Sequence, residues 1–387
     1  MNHLFRFILI TLLATTLYSC QTNTQTQPPL SVEMIATLPE LNAGESNFGV
    51  AGSFIGVIDN QIIVAGGSNF SKKFPWDGGA KQFLNDIYSI KVDDSGYKVE
   101  LLDYVKFPGA GIAHGITGVV DNNIYCFGGT TSDSQSAEYY VIKSENDTIS
   151  IHHKGTMPTA FSPVAASVDG VDIYIHGTTE RENTLYKYTT TTNQWHKLTS
   201  LPSKTLSAGA VFVAQSSGSE VAHYLISGRD ANGKELTLYS DVWEYSPTND
   251  TWSRKGDIKA NEAPHYRVYT SAVARGDNEI VVIGGDDGEI FTTLYNLEQQ
   301  IQATENEEEK AELKAKQRNI QTNHPGFNKT VLLYNTHTNQ WSEIASLDIA
   351  LPVVTTAVTF QDNIIIPSGE ISPGVRTPNV YKVELNF

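Results

Sequence analysis

Apolar and polar positions along this chain fall into short blocks that recur. A turn-forming Asp or Gly precedes three to five β-prone apolar residues, which run into Gly-Gly or a near match. The block occurs at 59–67 (DNQIIVAGG), 121–129 (DNNIYCFGG), 169–177 (DGVDIYIHG), 223–228 (HYLISG), 277–285 (DNEIVVIGG) and 362–369 (DNIIIPSG). A second block places Tyr seven residues before Trp, at Tyr188/Trp195, Tyr245/Trp252 and Tyr334/Trp341. Alternating stretches such as 207–213 and 270–274, with Leu-Pro turns at 38–39 and 201–202, flank these blocks. Such spacing predicts many short antiparallel strands. One quartet of strands, about 45–50 residues long, cannot bury both of its faces alone. Six quartets packed radially can, which predicts an all-β, six-bladed β-propeller over 31–387.

The glycine pairs carry a resemblance to kelch repeats, because Gly lets the chain leave the second strand with φ > 0. They end at 67, 129, 177, 228, 285 and 369, so the last interval is the longest. Its excess, 294–323, is rich in Gln, Glu, Lys and Ala and lacks Gly and Pro. Leu294, Leu297, Ile301, Leu313 and Ile320 give it a helical face, and Asn306 and Glu309 are spaced like a capping box. A helical insertion in one blade is therefore expected. The last repeat ends in a third strand at 379–387 with none after it, and 31–39 has the character of an outer strand. Pairing these two segments would close the ring.

Composition and the N-terminus narrow the function classes. With 27 Lys and Arg against 43 Asp and Glu, the formal charge is −16, which disfavours nucleic acid and anionic lipid surfaces as ligands. Residues 1–20 combine Arg6, a short apolar run and the sequence Leu17-Tyr18-Ser19-Cys20. This resembles a bacterial lipoprotein signal peptide, with Cys20 as the lipidated residue, and 21–30 reads as a polar tether. The resemblance implies a lipid anchor and a periplasmic location, at the outer membrane. Cys126 is the one other cysteine and sits in an apolar strand, so neither an intrachain disulfide nor a metal site is expected.

Loops that follow the glycine pairs and loops that lead into the inner strands converge on one face of a propeller. The first set includes Asn69 to Lys81, Arg181, Arg229, Asp286, Asp287, Glu289, Glu370 and Arg376, and the second includes His114, His265, Tyr266 and Arg267. Arg181, Arg229, Arg267 and Arg376 are half of the eight arginines, which points to an anion pocket in an acidic protein. Residues 368–377 (SGEISPGVRT) place a carboxylate and a guanidinium six apart around Pro-Gly. This stretch resembles the Gly-Glu-x-x-Pro-Gly-x-Arg-Thr motif of the N-acetylneuraminate epimerases, the periplasmic sialic acid mutarotases. Further similarity to that family runs through 183–202, Glu289-Ile290-Phe291, the insertion, Phe327-Asn328-Lys329 and 52–67. Because the motif is terminal here, the resemblance is to a cyclically permuted branch.

That resemblance implies Glu370 and Arg376 as the catalytic pair of an isomerase that interconverts the α and β anomers of N-acetylneuraminate. Mutarotation opens a cyclic hemiketal and recloses it, which takes an acid and a base and no cofactor or metal. Arg376 suits the sugar carboxylate and is expected to depress the pKa of Glu370. His114 or Tyr266 is the second proton-transfer group, and Arg229, Arg267, His114, Tyr266 and Asn69 are the expected substrate contacts. The sugar acid is the expected partner, and no obligate protein partner is evident. A non-catalytic carbohydrate- or protein-binding propeller is the alternative reading. A sialidase is disfavoured by the absence of a Ser-x-Asp-x-Gly-x-Thr-Trp box.

Overall fold

The computed structural model describes residues 30–40, 46–70, 73–158, 161–180, 182–203, 208–231, 235–260 and 263–386. The leader, Cys20, most of the tether and Arg181 lie outside them. Six four-stranded antiparallel sheets form the body of the molecule, as the repeats predict. Blade 1 begins with Phe54–Ile58, blade 2 with Ile116–Val120, blade 3 with Phe161–Asp169, blade 4 with Val211–Ser217, blade 5 with Ser271–Arg275 and blade 6 with Val358–Phe360. These first strands pack against one another from blade to blade and so line the central channel.

The middle of each second strand is mostly apolar because it is covered on both faces. Gln61–Ala65, for example, is buried at all five positions. The buried apolar side chains sort into six clusters, one between each pair of neighbouring blades: Phe54 and Ile63 with Ile124 and Ile142 join blades 1 and 2, and Val281 and Val331 with Ile364 and Tyr381 join blades 5 and 6. At roughly 1.5–3 kcal/mol per buried aliphatic or aromatic side chain, these interfaces hold the ring together. The Tyr–Trp block is a cross-strand pair: Tyr188 faces Trp195, Tyr245 faces Trp252 and Tyr334 faces Trp341. The tyrosine hydroxyls donate to Asn193, Asp250 and Asn339 in the turns that follow. The block thus pins the outer hairpin of its blade.

Ring closure joins the two ends of the chain. Leu30–Thr37 pairs with Asn379–Leu385, from Leu30↔Leu385 to Thr37↔Asn379, as the outer strand of blade 6. The insertion is two helices, α1 (Glu289–Ala303) and α2 (Glu307–Thr322). It starts five residues before the expected boundary, because Gly288, at φ 80°, turns the chain directly from the glycine pair into α1. Asn306 caps α2 by accepting from the backbone N–H groups of Glu308 and Glu309. The Glu309 carboxylate accepts from the Thr304 hydroxyl.

Blade 3 departs from the repeat. Elsewhere the pair is left-handed at both positions: Gly66 and Gly67, Gly128 and Gly129, Ser227 and Gly228, Gly284 and Gly285, Ser368 and Gly369. Gly177 instead lies inside the continuous strand Asp172–Thr179. Its glycine serves close packing, since a Cβ there would lie 2.3 Å from the Ser162 carbonyl oxygen.

Candidate active site

The turn after each second strand sets the address of the residue that follows it. Isolated bridges pair Ala51 with Ser68, Ala113 with Thr130, Ala208 with Arg229, Val268 with Asp286 and Val353 with Glu370. Ser68, Thr130, Arg229, Asp286 and Glu370 therefore hold equivalent positions around one end of the channel. The residue after each first bridging partner is left-handed: Gly52, His114, Gly209, Tyr269 and Val354. Three of them donate to the neighbouring blade, His114 N to Gly52 O, Gly52 N to Val354 O and Tyr269 N to Gly209 O, each at 2.7 Å.

In blade 6 the turn opens into a short hairpin, Glu370–Ser372 with Val375–Arg376, in which Glu370 and Arg376 are register partners. Gly374, at φ 85°, makes the tip. A Cβ on Gly374 would lie 2.6 Å from the Pro75 ring, so the blade-1 loop packs directly on the hairpin. The Arg376 Nη2 donates to Glu370 Oε2 at 2.9 Å, and Gly374 N donates to Glu370 Oε1 at 3.3 Å. The Arg376 side chain is 3% exposed and lies over the Phe70 ring, 4.8 Å from its centroid. Its Nε and Nη1 find no acceptor among the described residues.

Burial sets the direction in which the Glu370 pKa moves. Desolvation raises its pKa, and this outweighs the opposing pull of Arg376, the Gly374 N–H, Lys81 and Arg229. The sequence argument that Arg376 depresses Glu370 is therefore corrected: the guanidinium acts in that direction, but the buried setting wins. Desolvation also lowers the pKa of Arg376, although a guanidinium stays charged at any working pH.

His114 stands in the same neighbourhood. Burial, with Lys81 and Arg376 nearby, pushes its pKa down to about 4, so the ring is neutral at pH 7. Its Nε2 lies 3.3 Å from the Ser68 hydroxyl. Gly52 is required beside it, because a Cβ would lie 2.5 Å from the His114 Nδ1. Asn69 is buried, donates to the Gly49 carbonyl and leaves its Oδ1 without a partner among the described residues. Lys81, which directly precedes the strand Gln82–Phe83 that pairs with Ser68–Asn69, is legible in the sequence only as the end of a channel loop. Lys81 is exposed, and partial desolvation and Arg376 push its pKa down while Glu370 pulls it up.

Arg229 connects to this group through Glu370 but is also held by blade 5. Its guanidinium lies 3.8 Å from Asp286 and stacks on Phe291 of α1, 3.5 Å from the ring centroid. Arg267 and Tyr266 do not join it. Together with His265, Asp287, Glu289 and Asn328 they line a cavity of about 640 Å³ between blades 4 and 5 and the first turn of α1. The charged neighbours that Arg267 feels are Asp287 and Glu343, not Glu370. The expected single cluster of substrate contacts thus divides in two, with His114, Asn69 and Arg229 on the Glu370 side and Tyr266 with Arg267 in the cavity. Cys126 is buried in the blade 1–2 core with its thiol pKa raised by burial. Among the described residues no group of three His, Cys, Asp or Glu is placed to hold a metal.

A buried carboxylate–guanidinium pair with spare N–H donors and a neutral imidazole can exchange protons and hold an anion. Known proteins share this chain's framework. A solved structure titled "Structure of YjhT" superposes with a TM-score of 0.57 over 87% of this chain and 95% of its own, at 14% identity, a likeness of fold. N-acetylneuraminate epimerase from Salmonella enteritidis is 27% identical over 155 residues, 40% of this chain and 38% of its own length. The enzyme of that name from Brucella suis is 28% identical over 131 residues, 31% of this chain and 32% of its own. The chain thus aligns with about a third to two fifths of these relatives. The family model for N-acetylneuraminate epimerase matches residues 156–387, a span that includes Glu370, Arg376 and both helices. With more than half of its length matched by that model, the chain belongs to the N-acetylneuraminate epimerase family.

Proposed function

We propose that the protein is a mutarotase that interconverts the α and β anomers of N-acetylneuraminate at Glu370 and Arg376. The observation that carries this reading is the Glu370–Arg376 pair at the channel end, 2.9 Å apart with the guanidinium buried and the carboxylate partly open, inside the motif that the family resemblance rests on. The reaction moves protons without net change. A base takes the proton of the anomeric hydroxyl, the ring C–O bond breaks to leave a ketone, and an acid supplies a proton to the former ring oxygen. Rotation about the C–C bond that joins the carbonyl carbon to the rest of the former ring presents the other carbonyl face, and the two proton transfers run in reverse.

Glu370 is suited to one transfer because burial brings its pKa toward the working pH, where a group both gives and takes protons readily. His114 is suited to the other, since its neutral ring can accept at one nitrogen and donate from the second. Tyr266, the alternative for that role, lines the separate cavity. The unpaired Nε and Nη1 of Arg376 are donors for the sugar carboxylate. Arg229 and Lys81 add positive field against the protein's overall charge of −16.

Proton NMR of freshly dissolved α-N-acetylneuraminate tests this. Catalysis predicts anomeric equilibration faster than the spontaneous rate. An unchanged rate in the presence of protein that binds the sugar identifies a binding module instead. The sequence 17–20 supports a lipid-anchored, periplasmic protein. Metabolic labelling with palmitate, retained by wild type and lost in Cys20→Ala, checks that part.

A further inference from the structure

Arg267 has an unusual place for a cation. It is 1% exposed, and no carboxylate among the described residues stands within ion-pair distance of it. Its Nη1 donates to the Tyr266 carbonyl and its Nη2 to the Thr330 hydroxyl at 2.6 Å, while Nε finds no acceptor. A buried charge left in this state is normally compensated by a counter-ion or by a ligand. Arg267 is one of the residues that border the cavity beneath α1, so space for such a ligand exists next to it.

The rest of the cavity is polar and mixed in sign. α1 is fifteen residues long, and its first turn, Gly288 to Thr292, forms one wall. Asp286 and Asp287 accept from Gly288 N and Glu289 N at the helix start, and Asp287 acts on Arg267 through its field without pairing with it. Asn328 contributes an amide whose Oδ1 is already used by Thr330. Tyr266 and Leu238 supply apolar surface. One guanidinium for an anionic group, carboxylates and amides for hydroxyls, and an aromatic ring for a sugar face are the contacts that a carbohydrate acid uses. A volume of about 640 Å³ is within the range of small-molecule sites.

We propose that this cavity is a second sugar-acid site, separate from the Glu370 site, with the ligand carboxylate on Arg267. The choice of a sugar acid rests on the reading of function above; the existence of an anion site rests on Arg267 alone. The site would hold the substrate or product next to the channel mouth, with Arg229, stacked on Phe291 of α1, between the two positions.

Isothermal titration of the protein with N-acetylneuraminate, at anomeric equilibrium, tests the proposal. Two equivalents are expected for wild type and also for Glu370→Gln. Leu238→Trp, which fills the blade-4 wall of the cavity, is expected to bind one equivalent. Arg267→Met is expected to weaken one of the two at least tenfold. If Arg267→Met does not fold, Leu238→Trp still decides. The methyl ester of the sugar, which lacks the charge, is expected to fill at most one site. One equivalent in wild type, or two equivalents retained in Leu238→Trp, overturns the second site. An ester that still fills both sites overturns the carboxylate contact. Two equivalents with no mutarotation would sink the enzymatic reading and leave this site standing; mutarotation with one equivalent would do the reverse.

Discussion

Blades 4 and 6 carry the same turn and opposite charges. In each, a Ser-Gly pair sits left-handed, Ser227 at φ 60° and Gly228 at 119°, Ser368 at 57° and Gly369 at 119°. Each turn delivers its next residue to the same position on the channel, Arg229 in blade 4 and Glu370 in blade 6. The serine hydroxyls are used alike: Ser227 donates to Tyr239 O and accepts from Arg267 N, while Ser368 donates to the Thr377 carbonyl and accepts from Val50 N. The backbone therefore fixes where a side chain goes and is indifferent to its charge. What separates the two blades lies after the turn. Blade 6 folds back in a hairpin that supplies Arg376 from its own loop, whereas Arg229 must borrow Asp286 and Phe291 from blade 5.

The sharpest test of this difference removes charge on each side. Glu370→Gln should lower the rate of anomerisation by roughly 10²–10⁴-fold, the range of a general acid–base group. Arg229→Gln should act mainly on the Michaelis constant, since Arg229 touches Glu370 only through its field. Parallel NMR rate measurements on both variants check this. Equal losses of rate would mean that the two blades share one catalytic role.

Acid should distinguish the blades next. His223 in blade 4 and His176 in blade 3 are buried, with pKa values lowered by desolvation to about 3 and about 4. Both therefore bind fewer protons folded than unfolded. Their contribution is complete above the ordinary histidine value of 6.5 and is lost as pH falls from there toward the folded values. Stability should drop by on the order of 1 kcal/mol per pH unit for each histidine in that window. Urea unfolding at pH 7 and pH 5 measures it, and His223→Gln, which can keep a bond to Ser167, should flatten the dependence.

Smaller effects are expected at the turns. Ser368→Ala and Ser227→Ala each leave buried backbone groups unpaired and should cost about 1–3 kcal/mol. Only the first should also change the rate, because it alone supports the Glu370 hairpin. Arg318→Ala removes an exposed ion pair between α2 and Asp77 of the blade-1 loop, 2.7 Å long. A loss under about 1 kcal/mol is expected, read as a small shift in melting temperature.

The repeats were readable because each is local: the glycine pair and the Tyr–Trp spacing are set by bonds within a hairpin. Ring closure and the insertion were readable for a related reason, as interruptions of a period. Gly177 resembles its counterparts in sequence, yet its conformation follows from the approach of Ser162 across the sheet. The direction of the Glu370 pKa is not legible in the sequence, because the hairpin that carries it packs against Phe70, at Arg376, and Pro75, at Gly374, about three hundred positions away along the chain. Arg267 was grouped with Glu370 because both lie in channel loops, and only packing under α1 separates them.

The left-handed residues that lead into the first strands also form a girdle. His114 is tied to Gly52 and Gly52 to Val354, so blades 2, 1 and 6 are bonded edge to edge at the rim. Val354 holds φ 55° there, a conformation that β-branched residues rarely take. In mechanical terms these bonds resist hoop tension, as a band does around a cask. Blades tied in this way cannot part singly to admit a ligand. Any widening of the rim must be shared by the blades that the band joins.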